Sequence, residues 1–188
     1  MMRKRKDIAL TKDVIRTKIL LRLKTQKEDN RIRKSASIAK KLFRTRVFTQ
    51  AKIVMFYKAF KGEVDTEDMI KAAQKIGKIV VVPVCGENRA LIPCILKEGA
   101  RLLRGPYGIW EPVIKKSVSF NSIDLVIVPG VAFTKDGKRL GRGKGYYDRF
   151  LSRLSLHAAT IGLAFDFQVL ADLPADAMDI NVQKVIAA

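Results

Sequence analysis

The sequence is poor in the residues that most often carry covalent or metal chemistry. It contains two cysteines and one histidine. Cys85 and Cys94 lie in or beside apolar runs with no further cysteine or histidine close by, which predicts buried, reduced thiols rather than a disulfide or a metal site. No Ser–His–Asp or Cys–His set is visible, and His157 is assigned no chemistry. The sequence therefore gives no sign of an activated protein nucleophile.

Long apolar runs are also missing. No run reaches the roughly 18 residues expected of a membrane span, and the basic N-terminus lacks the apolar segment of a secretory signal. We therefore expect a cytoplasmic protein with no membrane partner. The 188 residues, 48% of them hydrophobic, fit a single domain over residues 1–188 that buries a sizeable core.

Acidic residues are few relative to basic ones: 18 against 37, for a net charge of +19. Residues 1–52 hold 18 lysines and arginines and 4 acidic residues, a net charge of +14. Such an excess suits nucleic acid, a membrane surface or an acidic small molecule, and it is also typical of a solvated helix face. Residues 1–6 are expected to form a flexible basic tail. Aromatic residues do not alternate with the basic ones as in a stacking platform, so nucleic acid is not a required partner.

Alternating helical and strand patterns predict an α/β protein. Apolar stripes after Thr11, the expected N-cap, and after Asp29 predict two helices that cover a sheet. Strands are predicted at 52–57, 78–84, 90–96, 125–128, 159–165 and 182–186. Pro93 favours an edge position for the third of these strands, and a helix capped by Thr66 joins the first two as a βαβ unit. The prediction is a three-layer α/β/α fold with a mostly parallel central sheet and an N-terminal helical pair packed on it.

A glycine-rich turn lies at the centre of the most informative stretch, residues 124–151. Every other residue of Gly141-Arg142-Gly143-Lys144-Gly145 is glycine, between a predicted strand and a predicted helix. Glycine lets a backbone approach a ligand closely, and a helix start offers unpaired N–H groups to an anion. The two basic side chains add positive charge, and a carboxylate one turn later, Asp148, could hold a divalent cation beside phosphates. The pattern fits a nucleotide with magnesium, and it equally fits a surface turn with solvated basic residues.

Two known phosphate-binding motifs are absent from this turn. The GxxxxGK[ST] spacing is missing, and the third glycine comes one residue too early for GxGxxG. An α/β sugar-phosphate enzyme that holds a substrate phosphate at the same turn is an alternative. Such an enzyme would need a general base nearby and would not use ATP.

Other candidates are scattered along the chain. Lys12 and Arg16 share one face of the first predicted helix and could grip a polyanion. Glu63 follows the first strand, where ligands gather in open α/β sheets, or it is an ordinary loop acid. Tyr107 and Trp110 could stack on a planar ring or could pack on the core.

Residues 129–151, PGVAFTKDGKRLGRGKGYYDRFL, resemble the 5-formyltetrahydrofolate cyclo-ligase family signature nearly throughout. Weaker matches are FKGEVDTEDMI at 60–70, GIWEP at 108–112 and PADAMDINVQKVI at 174–186. The last of these departs from the family pattern at Met178 and Gln183, where the family often has a histidine and an acid.

The resemblance implies a role for each matching residue. The nucleotide would be bound by Lys12, Arg16, Arg139, Leu140, Gly141, Arg142, Gly143, Lys144, Gly145, Tyr146 and Tyr147. The folate would be bound by Glu63, Arg142, Gly143, Lys144, Gly145 and Tyr146. The catalytic residues would be Arg142 and Lys144, and Asp148 and Asp179 would hold magnesium.

The activity that the resemblance implies is an ATP- and Mg²⁺-dependent cyclisation that makes the enzyme a carbon–nitrogen ligase. 5-Formyltetrahydrofolate would become 5,10-methenyltetrahydrofolate with release of ADP and phosphate, through phosphorylation of the formyl oxygen and attack by N10. The expected partner is a reduced folate, with or without a polyglutamate tail, and the expected state is a monomer.

Overall fold

Eleven strands and five α-helices build the described part of the chain, which in this computed structural model is residues 2–188, with side chains described for residues 11–188. The strands are β1 (Ile53–Met55), β2 (Ile79–Cys85), β3 (Leu91–Ile95), β4 (Leu102–Arg104), β5 (Trp110–Pro112), β6 (Leu125–Val128), β7 (Ala132–Thr134), β8 (Arg139–Leu140), β9 (Ala159–Ala164), β10 (Val169–Leu170) and β11 (Lys184–Ala187). The helices are α1 (Met2–Thr25), α2 (Glu28–Phe43), α3 (Arg46–Gln50), α4 (Glu67–Lys75) and α5 (Tyr146–Leu151).

The central sheet has six strands in the order β11-β9-β6-β1-β2-β3. All neighbours are parallel except β2 and β3, which are antiparallel. The predicted βαβ unit is confirmed, because β1 and β2 pair in parallel across α4. The predicted edge strand is confirmed as well, since β3 ends the sheet and Pro93 stands opposite Pro83 in its ladder.

The two faces of this sheet bury different layers. Helices α1 to α4 cover one face, where Ile38, Leu42 and Met69 are buried against the strands. The other face is covered by α5 and by a small sheet ordered β10-β7-β8, with Phe133 and Phe150 as the large buried side chains. The predicted three-layer fold with a mostly parallel sheet is therefore confirmed. Its second outer layer contains only one short helix, because a small sheet and coil cover the rest of that face.

Helix α1 begins earlier than predicted. It spans Met2–Thr25, so Thr11 lies inside the helix and is not its N-cap. Residues 2–10 include lysine, arginine, alanine and leucine, which all favour helix, so nothing in this segment stops it. The flexible tail predicted for residues 1–6 stays a prediction, because these residues lie outside the part of the chain whose side chains are described. In the described part of the chain, no helix combines the length and apolar character that crossing a bilayer requires.

The start of α4 differs in one detail from the prediction. Thr66 precedes the helix, but its hydroxyl donates to the carbonyl of Tyr57 at 2.6 Å instead of capping the helix. Asp65 does the capping, since its Oδ1 accepts the N–H of Glu67 at 2.9 Å. Thr66 is almost fully buried, so its hydroxyl needs a protein partner. The bond ties the end of the loop that carries Glu63 to the chain just after β1.

Candidate active site

The glycine-rich turn connects β8 to α5 in a backbone conformation that requires glycine. Gly143 and Gly145 have φ values of 90° and 66°, which side-chain-bearing residues rarely adopt. A Cβ on Gly145 would also lie 3.0 Å from Nη1 of Arg149. Because α5 has only six residues, the positive potential at this turn comes mainly from side chains rather than from a long helix dipole.

One cavity of about 940 Å³ brings together all of the residues predicted for binding, catalysis or metal. Its lining includes Lys12, Arg16, Glu63, residues 139–148 and Asp179. These residues come from α1, from the loop after β1, from the glycine-rich turn and from the loop before β11. The fold therefore places at one site groups that lie far apart in the sequence, while their individual roles stay predictions.

Two cations of α1 that the sequence singled out hold this helix against the cavity wall, one at the loop before β11 and one at the glycine-rich turn. Lys12 forms an ion pair with Asp179 and is itself buried. The Nε of Arg16 donates to the carbonyl of Gly141 at 2.9 Å, and its Nη1 contacts Asp13. The turn is thus held from outside its own segment by a helix that begins the chain.

Two carboxylates in the cavity wall are tied to the same loop. Asp148 accepts hydrogen bonds from Arg139 and from the N–H of Ile180, the latter at 3.3 Å. Asp179 accepts from Lys12 and from the N–H of Asp176, the latter at 2.7 Å. Among the described residues, no three His, Cys, Asp or Glu side chains are grouped so that they could hold a metal by themselves. Two carboxylates suit Mg²⁺ when phosphate oxygens and water complete its coordination.

Glu63 lies beyond the carboxyl end of β1, as predicted, and is 8% exposed. Its Oε1 accepts two bonds from Arg142, from Nη2 at 2.8 Å and from Nε at 3.1 Å. Its Oε2 accepts the N–H of Phe60 at 3.1 Å. Burial raises the pKa of this carboxyl, although the charge of Arg142 acts in the opposite direction. The turn and the β1 loop are therefore joined by a charged contact inside the cavity.

Comparison with known proteins shows which family the chain belongs to. The model of the 5-formyltetrahydrofolate cyclo-ligase family matches residues 9–188. The chain belongs to the 5-formyltetrahydrofolate cyclo-ligase family. The 5-formyltetrahydrofolate cyclo-ligase of Mus musculus is 31% identical over 184 residues, which cover 92% of this chain and 91% of the relative. The Escherichia coli K12 cyclo-ligase is 31% identical over 152 residues, 76% of this chain and 84% of the relative.

Solved structures agree with this assignment. The NMR structure of Aquifex aeolicus 5,10-methenyltetrahydrofolate synthetase has a TM-score of 0.84 and 36% identity, covering 94% of this chain and 89% of the other. The synthetase of Mycoplasma pneumoniae has a TM-score of 0.76 and 27% identity, covering 93% and 97%. The predicted family and fold class are confirmed, and the predicted enzyme class, a cyclo-ligase, is confirmed with them.

Aromatic side chains form another part of the wall of this cyclo-ligase cavity. The hydroxyl of Tyr146 donates to the hydroxyl of Tyr107 at 2.7 Å, and this bond is the main reason that the pKa of Tyr146 is raised to about 12. Nζ of Lys144 lies 5.4 Å from the Tyr107 ring centre. Trp110 does not line this cavity, and its ring lies beneath the guanidinium of Arg104. Of the two aromatic residues left open by the sequence, Tyr107 is therefore the one that lines this cavity.

The hydroxyl of Tyr147 is buried and has no hydrogen-bond partner in the described structure. Burial is the main cause that raises the pKa of this phenol, and the negative charge of Glu63 raises it further. The hydroxyl therefore stays protonated and is a donor without an acceptor. Such groups are rare in folded proteins, and one in a cavity wall is suited to bind a ligand atom.

Sequence reasoning gave no role to Glu111, which the structure places in the cavity wall at 5% exposure. Its Oε1 accepts the N–H of Cys85 at 3.0 Å. Burial, followed by the negative charge of Glu111, raises the pKa of the Cys85 thiol to about 11. Both cysteines are free. Cys94 is buried, as predicted, whereas Cys85 is half-buried beside the cavity. Glu111 belongs to the GIWEP segment that resembles the family, and β5 carries it.

Proposed function

We propose that this cyclo-ligase converts 5-formyltetrahydrofolate into 5,10-methenyltetrahydrofolate, consuming ATP in the presence of Mg²⁺ and releasing ADP and phosphate. The observation that supports this most directly is the shared cavity, which holds a cluster of cations, two carboxylates and a buried acceptor. Among its cations are Lys12, Arg16, Arg139, Arg142 and Lys144. We expect the protein to act in the cytoplasm as a monomer.

The chemistry explains why ATP is needed. The oxygen of a formamide is a poor leaving group, so it is first made a good one. The formyl oxygen attacks the γ-phosphorus of ATP, an O–P bond forms, and ADP leaves. N10 then adds to the activated carbon and loses its proton, and the C–O bond breaks with departure of phosphate. The sum is one new C–N bond and one ATP converted into ADP and phosphate, and the released phosphate carries away the formyl oxygen.

Cations of the glycine-rich turn would stabilise the phosphoryl group in transfer. Phosphoryl transfer depends mainly on positioning and on neutralising the developing charge. Arg142 and Lys144 extend from the turn, and Lys12 and Arg16 reach the same cavity from α1. Asp148 and Asp179 would hold Mg²⁺, which supplies positive charge to the phosphate oxygens.

Glu63 would bind the folate. The pterin ring carries amino and ring N–H donors, and a buried carboxylate is a matching acceptor. Tyr146 and Tyr147 add aromatic surface beside it. The net charge of +19 also suits a folate whose tail carries one or more glutamates.

An absorbance assay tests the proposal. Purified protein is mixed with 5-formyltetrahydrofolate, ATP and Mg²⁺, and the methenyl product is followed at a wavelength where the substrate does not absorb. We expect the band to appear with ATP and to stay absent when ATP is omitted or replaced by ADP. A nucleic-acid binder or a sugar-phosphate enzyme would produce no such band, so its absence in the complete mixture refutes the proposal.

A further inference from the structure

We infer that Arg142 changes partners when the ligands bind: it leaves Glu63 for the nucleotide phosphates, and nucleotide binding thereby strengthens folate binding. This inference rests on the proposed function. The observation behind it is that one charged contact joins a residue expected to bind phosphate with a residue expected to bind the pterin.

Both carboxylate oxygens of Glu63 accept hydrogen bonds from protein donors. Arg142 gives two N–H groups to Oε1, and the backbone N–H of Phe60 binds Oε2. A pterin that approaches alone must therefore compete with a guanidinium for a buried carboxylate. Bonds between charged groups are stronger than bonds from a neutral N–H, so this competition weakens folate binding.

Arg142 is far less enclosed than its partner. Its side chain is 33% exposed, whereas that of Glu63 is 10% exposed. Two further contacts place it on the β1 loop: Nη2 donates to the carbonyl of Phe60 at 3.2 Å, and the guanidinium lies 5.2 Å from the centre of the Phe60 ring. Because the guanidinium is partly exposed, it has room to turn towards a phosphate on its own glycine-rich segment. Glu63 is buried and cannot follow it into solvent.

A nucleotide that binds alone leaves Glu63 in an unfavourable state. When Arg142 turns away, the buried carboxylate keeps only the N–H of Phe60, and an unpaired buried charge is costly. The raised pKa of Glu63 is consistent with a carboxylate that depends on its partner. A pterin N–H that arrives at that moment restores the lost bonds. Each ligand thus removes the cost that the other would meet alone, which is positive coupling between the two sites.

The position of the pair adds to this argument. Arg142 and Glu63 line the cavity described above and also a second cavity of about 950 Å³. A movement of the guanidinium therefore changes the walls of both spaces. We expect such a position for a side chain that one ligand moves and whose movement changes the binding of the other ligand.

The test measures two affinities and their ratio. Binding of 5-formyltetrahydrofolate is measured by calorimetry with and without a saturating, non-hydrolysable ATP analogue and Mg²⁺, and binding of the analogue is measured with and without the folate. We expect each ligand to tighten the other by the same factor, roughly tenfold or more, because coupling between binding equilibria is reciprocal. In Arg142→Gln, Glu63 is free of the guanidinium in every state, so the factor falls towards one. Lys58→Gln is the matched control, because Lys58 lines the same cavity but pairs with Glu67, and it keeps the wild-type factor.

The possible results separate this inference from the proposed function. If both ligands bind wild-type protein independently, the partner exchange is refuted and the proposed function stands. If the factor persists in Arg142→Gln, the coupling does not run through Arg142 and the inference is equally refuted. If the analogue does not bind at all, the proposed function fails and the inference fails with it.

Discussion

Lys12 and Asp179 form an ion pair across 167 positions of the sequence, and both residues line the active-site cavity. Their side chains are 10% and 26% exposed, so the pair is partly desolvated. It joins α1, which begins the chain, to the loop before β11, which ends it. The first helix is thus a wall of the active site as well as a cover for the sheet.

Replacement of Lys12 tests that connection. In Lys12→Met the side chain keeps its length but Asp179 loses its cation, so we expect unfolding in urea to show a loss of about 1–3 kcal/mol. The KM for ATP should rise in the same variant. Lys18→Met, an exposed position on the same helix, is the control and should stay within about 0.5 kcal/mol of wild type. A Lys12→Met protein as stable as wild type would mean that the pair does not hold α1 in place.

Lys144→Ala tests the phosphate-binding role of the glycine-rich turn. Lys144 is exposed, and its ammonium lies over the Tyr107 ring, so its loss should leave stability within about 0.5 kcal/mol of wild type. Turnover should fall roughly 100- to 1,000-fold, because one preorganised charge at the transferring phosphoryl group is lost. Lys135→Ala, in the exposed turn before β8 and outside the cavity, should keep wild-type turnover. Equal rates for Lys144→Ala and Lys135→Ala would count against this role.

Tyr147→Phe tests the unpartnered hydroxyl. Removing a buried donor that bonds no protein atom should leave stability unchanged or raise it by about 1 kcal/mol, while turnover falls if the hydroxyl binds a ligand atom. Tyr57→Phe is the contrast, since the Tyr57 hydroxyl donates to the carbonyl of Val64 at 3.0 Å and its loss should cost about 1 kcal/mol. Thermal and urea unfolding, together with initial rates, give the answer. Full activity in Tyr147→Phe would show that no ligand uses this group.

The pH dependence of stability follows from Glu63. Burial raises its pKa in the folded state, so protonated Glu63 favours folding, and that contribution is lost as pH rises through the raised pKa. Charged and titratable groups around it are Arg142, Tyr57 and Tyr147. In Glu63→Gln this titration is gone. Urea unfolding of both proteins is measured from about pH 4.5 to about pH 8. The free energy of unfolding of the variant, relative to that of wild type, should increase as pH rises. A difference that stays constant across the range would contradict the assigned direction.

Local composition was enough to predict the parts of the fold whose signal is local. β6 is a run of apolar, mostly β-branched residues, β9 is a mainly apolar run, and the turn between β8 and α5 needs glycines that the sequence displays. The short strands β7, β8 and β10 have two or three residues each, and their pairing rather than their periodicity defines them. Such strands cannot be predicted from pattern alone, because a two-residue segment has no measurable period.

The candidate site also divides into residues that the sequence could predict and residues that it could not. The glycine-rich turn was visible because one segment carries it. Helix spacing and strand position drew attention to Lys12 and Glu63, and the family resemblance gave roles to these two residues and to Asp179. Glu111 was missed because nothing in the sequence distinguishes a single acid in an aromatic segment from other acids. Only the pairing of β4 with β5 brings it to the cavity wall. The sequence also could not show that Asp65 and not Thr66 caps α4, since either side chain could do so.

The most direct measurement is a crystal structure with a non-hydrolysable ATP analogue and Mn²⁺ in place of Mg²⁺, read through the anomalous signal of the metal. We expect the phosphates to lie against residues 141–145 and the manganese peak to lie beside Asp148 and Asp179. Phosphates bound elsewhere, or a metal peak away from both carboxylates, would contradict it.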